Sequence, residues 1–459
     1  MTIYDVQNAA KLPIWQERVR ECRTSGMSVK AWCKAQGLDF TTYYRWEKSS
    51  GICDSSTKTG KEYFQIFKPL SKTDVFCYNL PNDGESRKEK GVMNMKKFLA
   101  LLMAAIMVLG CASAFAATDY DAIPDEMTAE NGQYPIAFVT DVGQLKDHSF
   151  NEGIFNGVKL YASENGIAYK YYQPANGNQA TDDDRYDAMK AAVDGGAEIV
   201  VCAGFMAGAA IEKASSEFTD VKFVYVDGSA FGANTVGVAF KEEQCGFFAG
   251  YACVKEGFTK LGFSGGGGGT TPACCRYGYG FVQGAEAAAA ELGVQVEMLY
   301  SWLYGGSFSD SPELETMLNS WYENGTEVIF PCGGAMYLSC FSAAAANECW
   351  ALGVDRDQAA DSEWVLTSAL KGVDAASYQI LKAYFSGEWD SIAGTNVIYG
   401  TAEGAIALPT AEDSWRFSKF TVEEYQKMVD DVVAGTLVID DDYSNMKLEY
   451  PHLKVTMVE

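Results

Sequence analysis

From Tyr134 onward the apolar positions switch between two periods. Short runs of apolar and β-branched residues read as buried strands: Ile136–Thr140, Ala168–Tyr172, Ile199–Cys202, Phe223–Val226, Val236–Phe240, Lys260–Phe263, Val294–Tyr300, Val328–Pro331, Ala351–Val354 and Val365–Thr367. Stretches with helical spacing fill most gaps, most clearly Asp184–Asp194, Glu242–Val254, Gly280–Leu292, Leu314–Asn324 and Tyr378–Ser386. Such alternation predicts an α/β class with parallel sheets, and this many strands predicts two lobes joined by hinge crossings. The strand within YPIAFV runs into the loop TDVGQLKDHSFNEG (Thr140–Gly153), then into a helix with Ile154, Val158 and Tyr161 on one face. In an open α/β sheet, a loop at a strand's carboxyl end borders the ligand crevice. Read locally, its Ser149 is simply a helix cap.

The front of the chain follows another pattern. Residues 12–48 read as three short helices, with breaks at Gly26 and Gly37 and the third helix carrying Tyr43, Tyr44, Arg45 and Lys48. This is helix-turn-helix geometry with basic side chains able to reach phosphates, or a small bundle with a solvated basic face. SGMSVKAWCKAQGLDFTTYYRW resembles accessory proteins of insertion-sequence transposases. The domain thus bounded is 1–50, and 51–94 is polar, expected to be an unstructured linker apart from a short strand at Tyr63–Phe67.

Residues 95–117 carry two lysines, an uncharged apolar run from Phe98 to Leu109 and a small-residue end, Ala114-Phe115-Ala116. Those are the marks of a secretory signal peptide, with cleavage expected after Ala116. A membrane-spanning helix is the competing reading. Val108-Leu109-Gly110-Cys111 is a loose lipidation signal, making Cys111 a second candidate processing site. A signal so far into the chain is explained if translation begins at Met95, with Gly91-Val92 encoding a ribosome-binding sequence. An acidic leader, 118–133, precedes the two-lobed domain, 134–459.

Charge separates the same pieces. Met1–Asn94 holds 15 Lys/Arg and 11 Asp/Glu, a net of +4, leaving 21 and 50 in the remainder, a net of −29, within the overall −25. The acidic body disfavours nucleic acid and phosphorylated ligands but not a neutral solute.

TDVGQLKDHSFNEG resembles the opening motif of the basic membrane protein (BMP) family, substrate-binding lipoproteins of ABC transporters that include purine nucleoside receptors. Further matches follow in order through Asp441: FVYVDG, FKEEQCGFFAG, GYGFVQGA, GSFSD, GVDRDQ, TSALKGVD and FSKFTVEEY. The resemblance implies a type I periplasmic-binding-protein fold, two doubly wound parallel-sheet lobes exchanging chain near Phe240, near Lys371 and again further on. It implies an extracytoplasmic, membrane-associated protein working with an ABC permease and expected to be a monomer. Carried over motif by motif, the ligand-binding residues are Asp141, Asp147, Ser149, Phe150, Asp227, Phe308, Gly333, Gly334, Asp355 and Lys371. Two phenylalanines can sandwich a purine, at roughly 1–3 kcal/mol per stacked base. Carboxylates accept hydrogen bonds from a ribose diol, and Lys371 donates to a ribose oxygen or balances an aspartate. Four carboxylates face one cation in this set, with no second Lys or Arg and no free helix-start glycine nest in the matching motifs, so an uncharged purine nucleoside is expected over its monophosphate. Gln144 and His148 depart from the family pattern, which has a small residue and a lysine at those places.

Other chemistry finds little support. Gly265–Gly269 lacks the Lys-Ser/Thr pair of a phosphate loop, since Thr270-Thr271-Pro272 follows. It is a flexible strand-end loop or a place where backbone approaches the ligand. Eight cysteines follow the signal, Cys202 to Cys349, and buried free thiols are expected; Cys274-Cys275 lacks a metal-binding spacing, so neither metal nor cofactor is expected. His148 has no evident catalytic partner, so no enzymatic activity is expected. The rival class is a ligand-responsive transcription factor of lactose-repressor type, which also joins helix-turn-helix to this fold. Twelve consecutive apolar residues, Phe98–Leu109, are foreign to such a repressor's hinge.

Overall fold

The computed structural model describes residues 118–459 except Gly143, with residues 18, 19, 21, 22 and 29–35 of the front piece. The chain divides into two units, Met1–Leu99 and Ala100–Glu459. In the first, a helix spans Val29–Ala35, between the glycines expected to bound the second of three helices. Most of the expected trio, the Tyr63–Phe67 strand, Cys111, Ala116 and the apolar run lie outside the described residues.

The second unit builds two sheets. In its first lobe the chain runs β1 (Ile136–Val139), α1 (Phe150–Glu164), β2 (Tyr169–Tyr172), α2 (Asp182–Asp194), β3 (Ile199–Cys202), α3 (Gly208–Glu217), β4 (Lys222–Val226) and β5 (Thr235–Phe240). It crosses to the second lobe for α4 (Glu242–Glu256), β6 (Lys260–Gly265), α5 (Pro272–Leu292), β7 (Val296–Ser301), α6 (Pro312–Glu323), β8 (Val328–Cys332), α7 (Tyr337–Asn347), β9 (Trp350–Asp355) and β10 (Val365–Lys371). α8 (Val373–Phe385) returns to pack on α1, and β11 (Asn396–Tyr399) joins the first sheet. A third crossing leads to β12 (Ile406–Ala407), α9 (Val422–Val433) and β13 (Leu453–Val458) in the second. The sheet orders are β11-β5-β4-β3-β1-β2 and β12-β10-β9-β8-β6-β7-β13. All pairs are parallel except β10 with β12.

All ten expected strands are present, and the crossings fall where expected. Strands β1 and β3 are buried along their whole length, which parallel sheets covered on both faces require. The strands the pattern missed are β11, β12 and β13. β11 and β13 sit at sheet edges and alternate exposed with covered residues, and β12 is two residues long. α5 begins eight residues before the expected Gly280. Pro272 occupies its first turn, where the missing N–H costs nothing, and its inner glycines are held by packing. A Cβ on Gly280 would lie 2.1 Å from Glu243 O, and one on Gly246 2.1 Å from Tyr277 O, so glycine lets the α4 and α5 backbones touch. The eight cysteines among the described residues of this unit are free thiols, all buried but Cys349.

Candidate functional site

The carboxyl ends of β1, β4, β8, β9 and β10 open on a cleft between the lobes, with about 550 Å³ of empty space, part of it open to solvent. Of the ten residues expected to bind ligand, eight line it: Asp141, Phe150, Asp227, Phe308, Gly333, Gly334, Asp355 and Lys371.

Asp147 and Ser149 do not line it. Asp147 accepts N–H bonds from Ser149, Asn151 and Glu152 at 3.0–3.1 Å, satisfying the donors that a helix start leaves free. The cap of α1 is therefore Asp147, not Ser149, whose hydroxyl makes no capping bond. Ser149 Oγ instead donates to Asp355 Oδ2 at 2.7 Å, across the lobes. Both residues hold the wall from behind.

Three wall residues other than glycine have left-handed backbone: Asp227 (φ 62°), Phe308 (φ 56°) and Asp355 (φ 64°). That conformation costs an L-residue roughly 1–2 kcal/mol, and such strain concentrates at ligand sites. Here it turns side chains sharply off the strand ends. Around Phe308 the chain is glycine: a Cβ on Gly266 would come within 2.5 Å of its ring, and one on Gly333 within 3.0 Å. Gly265 and Gly269 likewise make room for Trp302, with a Cβ on Gly265 2.1 Å from that ring. The glycine run thus accommodates aromatic side chains, a reading its sequence did not suggest.

The carboxylates are sealed. Burial pushes Asp141 and Asp227 up to about 6 and raises Asp355 as well. Asp141 Oδ1 accepts from Asn151 Nδ2 at 3.1 Å, while Asp227 Oδ1 is buried with no partner. Lys371, 3 % exposed, lies 2.7 Å from Asp227 Oδ2 and 3.0 Å from Glu242 Oε1. Burial alone would depress this amine; Asp227, Glu242 and Asp355 more than offset it and push it up. The same amine stands 5.0 Å over the Phe150 ring and 4.9 Å over Phe240. Glu242 Oε2 in turn takes Arg276 Nε at 2.6 Å. Sequence reasoning missed Glu242 and Arg276; Glu242 stood in the quoted block FKEEQCGFFAG but read as an ordinary helix start. It also missed Gly204, Phe205, Met206 and Tyr277 in the wall, where Asn151 of the opening loop stands as well. A helix start outside the matching motifs also reaches the cleft. Thr271, Ala273 and Cys274 bring the start of α5 to the wall.

At the lip the lobes are bridged. His148 Nδ1 meets Asp361 Oδ1 at 3.0 Å, Gln358 Nε2 donates to His148 O at 2.9 Å, and Arg356 Nη1 lies 2.8 Å from Glu152 Oε1. The departure at His148 is thus part of a closing contact.

Residues 135–441 match the family described as PnrA-like ABC transporter substrate-binding proteins, Bmp. The chain belongs to this family. The ABC transporter nucleoside-binding protein BmpA of Lactococcus lactis is 27% identical over 334 residues, 67% of this chain and 89% of that one. A CD4+ T-cell-stimulating antigen of Listeria monocytogenes is 26% identical over 364 residues, covering 73% and 97%. An ABC transporter solute-binding protein from Aeropyrum pernix has the same fold, with a TM-score of 0.56 at 21% identity over 67% of this chain and 94% of that one. As a PnrA-like substrate-binding protein, the chain takes a small solute and works with a transporter permease. The transcription-factor alternative is not favoured. Among the described residues no helix is long and apolar enough to cross a membrane, and no group of His, Cys, Asp and Glu is placed to hold a metal.

Proposed function

We propose that this PnrA-like protein is the extracytoplasmic receptor for an uncharged purine nucleoside, delivered to its ABC permease. The observation that carries the reading is the pairing of sealed carboxylates with a cation already engaged. Asp141, Asp227 and Asp355 line the cleft, and Lys371 is held by Asp227 and Glu242. Such a wall calls for hydrogen-bond donors without negative charge, which ribose hydroxyls and a neutral base provide. A phosphate dianion would stand against those carboxylates at low effective dielectric, where one close like-charge pair costs on the order of several kcal/mol. The start of α5 offsets at most about 2 kcal/mol of that, so three carboxylates prevail. Phe150 from the first lobe and Phe308 from the second supply aromatic faces for the base. The BmpA relative is named for nucleoside binding, in the same sense.

Export by the signal at 95–117, with cleavage after Ala116 or lipidation of Cys111, completes the proposal.

Asp355→Ala tests the ribose assignment. The variant should lose the preference for a ribonucleoside over its 2′-deoxy form, measured by titration calorimetry, while circular dichroism keeps the wild-type fold. An unchanged ribo-to-deoxy ratio would remove Asp355 from the sugar site.

A further inference from the structure

Behind the cleft wall, charges continue away from the ligand space. Asp227, Lys371, Glu242 and Arg276 form a row in which each carboxylate touches a cation at 2.6–3.0 Å. Only Asp227 and Lys371 line the cleft; Glu242 and Arg276 do not. Glu242 is fully buried and opens α4 just after the first crossing, and Lys371 ends β10 just before the second. The spacing is not free to relax. Gly280 and Gly284 on α5 meet the α4 backbone so closely that a Cβ would lie 2.1 and 2.0 Å from Glu243 O and Phe247 O. That contact fixes Arg276 against Glu242.

We propose that Glu242 and Arg276 are positioning residues which set how much positive charge Lys371 presents to the cleft, and so discriminate between nucleosides and their phosphorylated forms. The proposal rests on the nucleoside reading above and extends it beyond the residues that touch the cleft. Glu242 shares Lys371 with Asp227 and draws its charge away from the ligand. Arg276 limits that pull by holding the other Glu242 oxygen. Neutralising Glu242 adds one unit of positive charge behind the wall, and neutralising Arg276 removes one. The two changes must act on an anionic ligand in opposite directions. Simple damage to the packing would weaken all ligands in the same direction.

The experiment compares Glu242→Gln, Arg276→Gln and Arg276→Lys in the full chain, titrated with adenosine and adenosine monophosphate. The ratio of monophosphate to nucleoside dissociation constants should fall by at least about fivefold in Glu242→Gln and rise by at least about fivefold in Arg276→Gln, as expected for a buried unit charge nearby. Arg276→Lys should restore the wild-type ratio. A ratio that stays put, or moves the same way in both glutamine variants, overturns the proposal. A second readout needs no ligand. Carboxyl-carbon NMR should find Asp227 titrating at lower pH in Glu242→Gln and at higher pH in Arg276→Gln, because Glu242 is one of the charges that raise it. Wild-type protein that binds neither compound, yet shows these opposite shifts, sinks the nucleoside reading and leaves the positioning role standing. Absent or like-signed shifts sink the positioning role itself.

Discussion

At the hinge end of the cleft, the side chains of Lys371 and Asp227 are 1% and 9% exposed, while at the lip His148 pairs with Asp361 with 55% of its side chain in water. Both ends join the lobes through ions at similar distances, yet the environment makes them different devices. A buried pair that loses one partner leaves an uncompensated charge, at about 3–5 kcal/mol. An exposed pair contributes about 0.2–1 kcal/mol and is screened by salt. The hinge pairs are therefore expected to stay formed if the lobes move, and the lip pairs to part and re-form. The proposed selection by charge would then belong to the hinge end, and the timing of closure to the lip.

The largest expected effect follows from removing the shared cation. Lys371→Met should lower the stability of the ligand-free protein by about 3–5 kcal/mol, because Asp227 and Glu242 are left buried without it. A thermal midpoint within a degree of wild type would erase the distinction between the two ends.

A pH titration sharpens the comparison. Burial raises Asp141 and Asp227 to about 6 in the folded state, against about 3.9 in an unfolded chain. The folded protein therefore takes up protons that the unfolded chain does not, so this contribution to stability is present at low pH and lost as pH rises through about 6. The ligand-free protein should be more stable at pH 5 than at pH 7 by thermal unfolding. Nucleoside affinity should fall as pH drops from 7 to 5, since protonated carboxyls accept fewer and weaker hydrogen bonds from hydroxyl donors. Affinity flat from pH 7 to pH 5 would mean these carboxylates do not meet the ligand.

The smallest effect is expected at the lip. Arg356→Gln removes the contact with Glu152, whose partner side chain is 33% exposed. It should cost less than about 1 kcal/mol in stability and speed ligand release more than it slows binding, with the difference fading in high salt. Stopped-flow fluorescence reads both rates, and a salt-independent loss larger than that at Lys371 would invert the account.

How much of this was legible depends on whether a residue's role is local. Asp227 and Asp355 stand at the ends of buried strands, where strand ends define the cleft, but it took the family resemblance to single them out from ordinary helix caps. Asp147 and Ser149 share the same loop, yet their roles depend on a helix start and on a carboxylate 206 residues away. The row Lys371–Glu242–Arg276 joins two crossings and a helix pair, and no spacing along the chain reveals it. Gly265–Gly269 could be recognised as backbone needing room, but not that Phe308 and Trp302 fill that room. Edge strands such as β11 escape because a sheet edge does not need a continuous apolar run.

The central claim is that a buried, self-paired cation makes the cleft a site for uncharged solutes. Titration calorimetry of the protein, stripped of ligand by unfolding and refolding, against adenosine, guanosine and their monophosphates tests it most directly. The account predicts saturable binding of at least one nucleoside and binding of its monophosphate weaker by several kcal/mol, the order of one close like-charge pair. Tighter binding of a monophosphate than of its nucleoside would contradict it.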